Sequence, residues 1–177
     1  MGGTGAFLGV RGMVGNGGTT VPFRAASITE DPANRRINGG GKIRWILTII
    51  PMSAPSIIAT PGGPAVTHSS DFSLVTNAKP AAGGEILSVF MTGLGPVRPA
   101  VDPGQPFPSS PLASVNSPVQ VSVNGNAADV IAAVGYPGSV DGYQVNFRLP
   151  PDTAKGTASI QVSASWIPGT PVTIPVQ

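Results

Sequence analysis

The chain has no cysteine, a single histidine, 10% charged residues and 6% aromatic residues. Without cysteine there are no disulfides, no thiolate metal sites and no cysteine nucleophile. With one histidine, His68, any histidine-based catalysis must centre there. No apolar run reaches the ~18 residues of a helical membrane span, because Ile43–Ile50 is interrupted by Arg44 and stopped by Pro51. The opening Met1-Gly2-Gly3-Thr4-Gly5 has neither the basic nor the apolar region of a signal peptide. The expectation from that start is a cytoplasmic protein or a chain lacking its natural beginning.

What the chain has in quantity is glycine (24) and proline (20) in 177 residues, which is too many helix breakers for a helical fold. Hydrophobic residues make up 41% and are patterned, so a core can form and the composition points to an all-β protein. Charge is uneven. Residues 1–50 carry six basic and two acidic side chains, and residues 51–177 carry four and six. The net charge of +2 and the lack of aromatic interleaving in the basic part argue against nucleic-acid binding.

From Gly84 onward the apolar period is two. Tyr143, Val145, Phe147 and Leu149 alternate with Gln144, Asn146 and Arg148; Val119, Val121 and Val123 alternate with Gln120, Ser122 and Asn124. Ala158, Ile160, Val162 and Ala164 repeat the pattern against Ser159, Gln161, Ser163 and Ser165. Asn124-Gly125 predicts a type I′ hairpin from Val119–Val123 to a strand near Ala128–Val134, because both central residues of that turn need positive φ. Asp141-Gly142, Lys155-Gly156 and Pro168-Gly169 mark further connections. The proline-rich stretch from Pro96 to Pro118 predicts an extended crossover between sheets.

The expected architecture is a Greek-key, immunoglobulin-like β-sandwich over 70–177, preceded by a linker at 52–69 and a β-rich segment at 1–51. That segment has three β-like runs, near Ala6–Val14, Thr19–Glu30 and Lys42–Pro51. Three strands make a poor independent core, so they are expected to pack on something, and their open edges predict pairing with another copy.

Two resemblances follow from particular residues. Gly84-Glu85-Ile86-Leu87-Ser88, Thr92-Gly93-Leu94-Gly95-Pro96-Val97, Ser117-Pro118-Val119, Val123-Asn124-Gly125, Gly142-Tyr143-Gln144-Val145-Asn146 and Val172–Gln177 resemble the Solibacter-type C-terminal domain of Acidobacteria, a sandwich of the TIG/IPT kind. This resemblance implies an extracytoplasmic setting, secreted or periplasmic, and carries over no catalytic residue. Gly2–Gly12 and the strand ending Ile49-Ile50-Pro51-Met52 resemble the last strands of an allene-oxide-cyclase-like or dirigent-like barrel.

Four groups of residues carry chemistry worth weighing. Thr4-Gly5-Ala6-Phe7-Leu8-Gly9-Val10-Arg11-Gly12 looks like a phosphate-binding glycine loop, but a strand before it and a helix after it are missing, so it reads as a turn. His68-Ser69-Ser70-Asp71 has the parts of an acyl-transfer triad, with Ser69 or Ser70 as nucleophile, His68 as base and Asp71 as orienter. Adjacent residues on a strand point to opposite faces, which argues for a plain polar segment. Asp102, Asp129 and Asp141 offer oxygen ligands for Ca²⁺, which would polarise an ester or lactone carbonyl. They lack the spacing of a calcium loop. Arg35 and Arg36 form a charged turn suited to an acidic partner. Trp45, Trp166, Tyr136 and Tyr143 are candidates for a sugar-stacking platform; period two puts Tyr143 in the core and leaves Trp166, beside Pro168-Gly169, as the residue expected to be exposed.

The primary expectation is therefore a non-catalytic binding module for a protein, glycan or small-molecule ligand. A Ca²⁺-assisted ester or lactone hydrolase and a structural domain assembling through open strand edges are the alternatives.

Overall fold

The computed structural model describes Phe7, residues 10–17, Ile28, Thr29, Asp31, residues 44–50 and residues 52–177. The chain divides into two compact units, one of them Arg11–Ile50.

In that unit, β1 (Arg11–Gly17) and β2 (Arg44–Ile50) form an antiparallel pair from Arg11↔Ile50 to Gly17↔Arg44. Trp45, Ile46, Leu47 and Ile49 are exposed on β2, as are Met13 and Val14 on β1. Consecutive strand residues face opposite ways, so both faces of this ribbon are apolar. Most of the run expected near Thr19–Glu30, and the Arg35-Arg36 turn, lie outside the described residues, as does most of the Thr4–Gly12 glycine run, whose Arg11 and Gly12 open β1.

The second unit is all-β, with antiparallel pairing throughout its named strands. Its strands are β3 (Ser56–Ile57), β4 (Ala59–Thr60), β5 (Gly63–Pro64), β6 (Val66–His68), β7 (Ile86–Thr92), β8 (Val97–Arg98), β9 (Ser114–Val115), β10 (Val119–Val123), β11 (Asn126–Gly135), β12 (Tyr143–Arg148), β13 (Gly156–Ala164), β14 (Ile167–Pro168) and β15 (Val172–Val176). The order β14-β13-β10-β11-β12-β7-β3 runs without a break, with β15 also on β13 and β6 also on β7. The long strand β11 serves both halves. Its start pairs β10 through Val121↔Ala128, the rest pairs β12, and the register shifts between Val130 and Ala132. Such a bulge bends the strand and lets one strand pass from one sheet layer to the other.

The core is what the alternation predicts. Val121, Val123, Tyr143, Val145, Phe147, Leu149, Ala158, Ile160, Val162 and Ala164 are all buried, and they join Leu87, Val89 and Met91 of β7. The Asn124-Gly125 hairpin forms as expected. Both residues have positive φ, 51° and 84°, and Val123 pairs with Asn126.

Two stretches differ from expectation. Residues 52–69, expected as a linker, supply β3 to β6: Val66 is fully buried and β6 pairs β7 through Val66↔Val89 and His68↔Leu87. Pro55, Pro61 and Pro64 bound very short strands here, where missing N–H donors do little harm. The stretch from Pro96 to Pro118 does cross between the sheets, from β7 beside β12 to β10 beside β13, but as a folded loop rather than an extended segment, closed by β8 on β9 through Val97↔Val115 and anchored on β11 by Val134↔Ser114. Its apolar residues Phe107 and Ala113 turn inward and are buried, which an extended crossover does not require.

Candidate binding groove

The strand β10 puts Val121 and Val123 into the core and therefore Gln120 and Ser122 on the outer face. Pairing with β13 sets Gln120 opposite Ser163 and Ser122 opposite Gln161, so two polar pairs lie side by side. On the flanks, Ala127 of β11 lies opposite Ser122, and Pro168 of β14 lies opposite Ser163. Asp129, two residues beyond Ala127, shares its face of β11. These side chains, together with Trp166, line an open groove of about 590 Å³, within the usual range of ligand sites. Its lining contains one carboxylate and no lysine or arginine.

The hairpin joining β13 to β14 places Trp166. Ala164 pairs with Ile167, leaving a two-residue loop, Ser165-Trp166, with φ of 50° and 64°. That is the conformation Asn124-Gly125 adopts easily, here occupied by two residues unsuited to it. A left-handed conformation costs a non-glycine residue roughly 1–2 kcal/mol. Trp166 nevertheless remains 64% exposed, so burial of its ring is not what holds it there. The Ser165 hydroxyl beneath is fully buried and has no hydrogen-bond partner among the described residues. Strain and an orphaned hydroxyl therefore coincide in one turn at the end of the groove. Gln161 is fixed by its Nε2 donating to Gly169 O at 2.9 Å, which leaves its Oε1 as an acceptor.

His68 and its neighbours do not assemble as a triad. His68 is buried, with Nδ1 2.6 Å from Glu85 Oε1 and Nε2 3.3 Å from the Lys79 carbonyl. Both ring nitrogens are engaged by Glu85 and the Lys79 carbonyl, so neither is turned to a serine hydroxyl. Ser69 Oγ instead meets Ser88 Oγ at 2.7 Å, and Ser88 donates to Asn146 Oδ1. Ser70 sits exposed in the following turn. Asp71 bonds Ser73 and Lys79, whose ammonium, with the Ser73 donors, holds the carboxyl below its ordinary range. The reason is local geometry: β6 ends at His68, and the chain turns before Asp71.

The proposed calcium ligands are dispersed as well. Asp102 lies in the Pro96–Pro118 loop, Asp129 on β11 opposite Arg148, and Asp141 in the turn before β12. Among the described residues no group of three or more His, Cys, Asp or Glu side chains is placed to hold a metal ion. Burial raises the Asp141 carboxyl above its ordinary value, and the Tyr143 hydroxyl pulls the other way.

Of the aromatic candidates, Tyr143 is buried and donates to Gly95 O at 2.6 Å. Trp45 is exposed on the β1–β2 ribbon. Tyr136 is about half exposed and packs edge-on against Phe90, which also meets Phe72. The polar groups near that second aromatic patch already satisfy one another: Gln144 donates to Asn146, as does Ser88.

No protein-family model, curated protein or solved structure matches the chain. The groove residues Gln120, Ser122, Gln161 and Ser163 stand out only once β10 and β13 are paired. In the sequence they are the ordinary polar halves of two alternating strands.

Proposed function

We propose that the chain is a non-catalytic β-sandwich binding module, working outside the cytoplasm, whose ligand face is the groove beside Trp166. The observation that carries this reading is Trp166 itself, a large exposed ring kept in a left-handed turn above a row of polar side chains. Strain retained at an exposed position is characteristic of sites under functional constraint. The resemblance of residues 70–177 to the Solibacter-type, TIG/IPT immunoglobulin-like domain supports the module reading and the extracytoplasmic setting. The turning of His68 toward Glu85 and Lys79 weighs against the hydrolase.

The test is a fragment screen followed by protein NMR, with ester and lactone substrates assayed in parallel. Fragments are expected to shift the Trp166 indole and the Gln161 side-chain amide, with no turnover. Ester turnover that disappears in His68→Ala would overturn the reading.

A second reading, self-assembly through the β1–β2 ribbon, is favoured by the exposed Met13, Val14, Trp45, Ile46 and Leu47. Apolar side chains on both faces of a two-stranded ribbon call for a cover, and a second copy supplies one. Light scattering is expected to show an oligomer that dissociates in Trp45→Glu/Leu47→Glu. A monomeric parent protein removes this reading.

A further inference from the structure

We infer that the ligand of the groove is a neutral oligosaccharide, stacked on Trp166 and hydrogen-bonded by Gln120, Ser122, Gln161 and Ser163; this inference rests on the groove being the binding face.

Three features select that chemistry. First, a pyranose has an apolar C–H face and a polar rim. The electron-rich face of an indole suits the former, and a floor of amides and hydroxyls suits the latter, since each both donates and accepts. Second, no lysine or arginine lines the groove, while Asp129 does. Phosphorylated, sulfated or carboxylated ligands would meet the Asp129 charge with no cation in the lining, since Arg148, its cross-strand neighbour, lies outside the lining and donates to Gly84 O, whereas sugar hydroxyls donate well to a carboxylate. Third, the backbone of β10 and β13, the middle of the floor, is already spent, and the edge strand β14 has only two residues, one of them Pro168 with no N–H. The strand β10 is paired on both sides, by β11 and β13, and β13 by β10 and by β14 or β15. A peptide added as an extra strand needs free backbone groups at a sheet edge. Here recognition runs through side chains that stand up from the sheet.

The shape agrees with a chain rather than a single sugar. Four strands, β14, β13, β10 and β11, lie across the groove, a width of roughly 14 Å at the usual strand spacing. Ser163 and Gln120 face each other in the middle, with Trp166 and Pro168 at one end and Asp129 at the other.

The experiment is affinity electrophoresis of the whole chain in gels containing β-glucan, xyloglucan, galactomannan, amylose or, as the anionic control, polygalacturonate, followed by calorimetry on the matching oligosaccharide. Retardation is expected with at least one neutral polysaccharide and not with polygalacturonate. Trp166→Ala is expected to weaken binding at least tenfold, Gln161→Ala about fivefold, and Trp166→Phe less than Trp166→Ala. Tyr136→Ala, at the second aromatic patch, is expected to bind as the parent does. Gln161→Ala keeps the test decisive should Trp166→Ala fold poorly.

Absence of retardation in every neutral gel, retardation by polygalacturonate alone, or binding lost in Tyr136→Ala but kept in Trp166→Ala each overturns the assignment. Where fragments still occupy the groove by NMR but no polysaccharide binds, the sugar assignment falls and the module reading stands. Where the groove takes neither, both fall.

Discussion

At most helical or strand positions glycine is a worse residue than alanine, by roughly 0.5–1 kcal/mol, because it loses more backbone freedom on folding. At position 166 the order should invert. Trp166 sits at φ 64° in a two-residue turn closed by Ala164↔Ile167. Trp166→Ala and Trp166→Gly both delete the same partly covered ring, so the lost packing cancels between them. What differs is the left-handed backbone, which costs alanine roughly 1–2 kcal/mol and glycine essentially nothing. Against this stands the extra entropy of a glycine in the unfolded chain. The net expectation is that Trp166→Gly is the more stable by about 0.5–1 kcal/mol. Urea unfolding of the two variants, followed by circular dichroism, measures the difference in midpoint at equal slope. Both variants should lose ligand binding alike, separating the strain from the recognition. An alanine variant as stable as the glycine variant, or more so, would refute the strained turn and with it the main reason for assigning function to Trp166.

Three further perturbations probe the frame around the groove. His68→Ala leaves the Glu85 carboxyl, among the described residues, with the Ala82 N–H as its remaining partner; because Glu85 is a quarter exposed, the expected loss is about 1–3 kcal/mol, as for a polar group deprived of a hydrogen bond, with ligand binding kept in protein that remains folded, as denaturation and calorimetry will read. Gly135→Ala would drive a Cβ to within 2.6 Å of the buried Phe107 ring, so an overpacking cost of about 1–3 kcal/mol is expected in thermal unfolding. Burial, then the nearby Asp141 charge, raises the Tyr143 phenol above its ordinary value of 10.0. The folded protein therefore holds a proton that the unfolded chain releases, and stability should be fully present below pH 10 and fall as pH rises through it. Tyr143→Phe should remove that alkaline slope in urea titrations, while losing about 1 kcal/mol at neutral pH with the bond to Gly95 O.

Local patterns in the sequence reached as far as single strands. The alternation over Tyr143–Leu149 and Ala158–Ala164 named which side chains enter the core, because period two is a property of each strand by itself. The Asn124-Gly125 turn was legible for the same reason. Pairing between distant strands was not, and the groove depends on it: Gln120 and Ser163 are neighbours only through the β10–β13 register. Proline misled in two places. At 52–69 it suggested a linker, although Val66 packs in the core; at 96–118 it gave the crossover between sheets but suggested an extended form, whereas Phe107 turns the loop inward. His68 misled by adjacency. Its useful neighbours are Glu85 and Lys79, far along the chain, rather than Ser69 and Asp71. Exposure of Trp166 could be read from the turn signal beside it, but its backbone strain could not, since strain depends on the two-residue loop that the strand pairing imposes.

The central claim is that Trp166 meets the ligand. In a Trp45→Phe background the chain keeps one indole, that of Trp166, and its fluorescence during titration with the oligosaccharide found by electrophoresis reports on that contact alone. The account predicts a saturable change in Trp166 emission, with the same midpoint as calorimetry and an affinity reduced in Gln161→Ala. Calorimetric binding with no change in Trp166 emission, and with undiminished affinity in Gln161→Ala, would place the ligand elsewhere on the molecule.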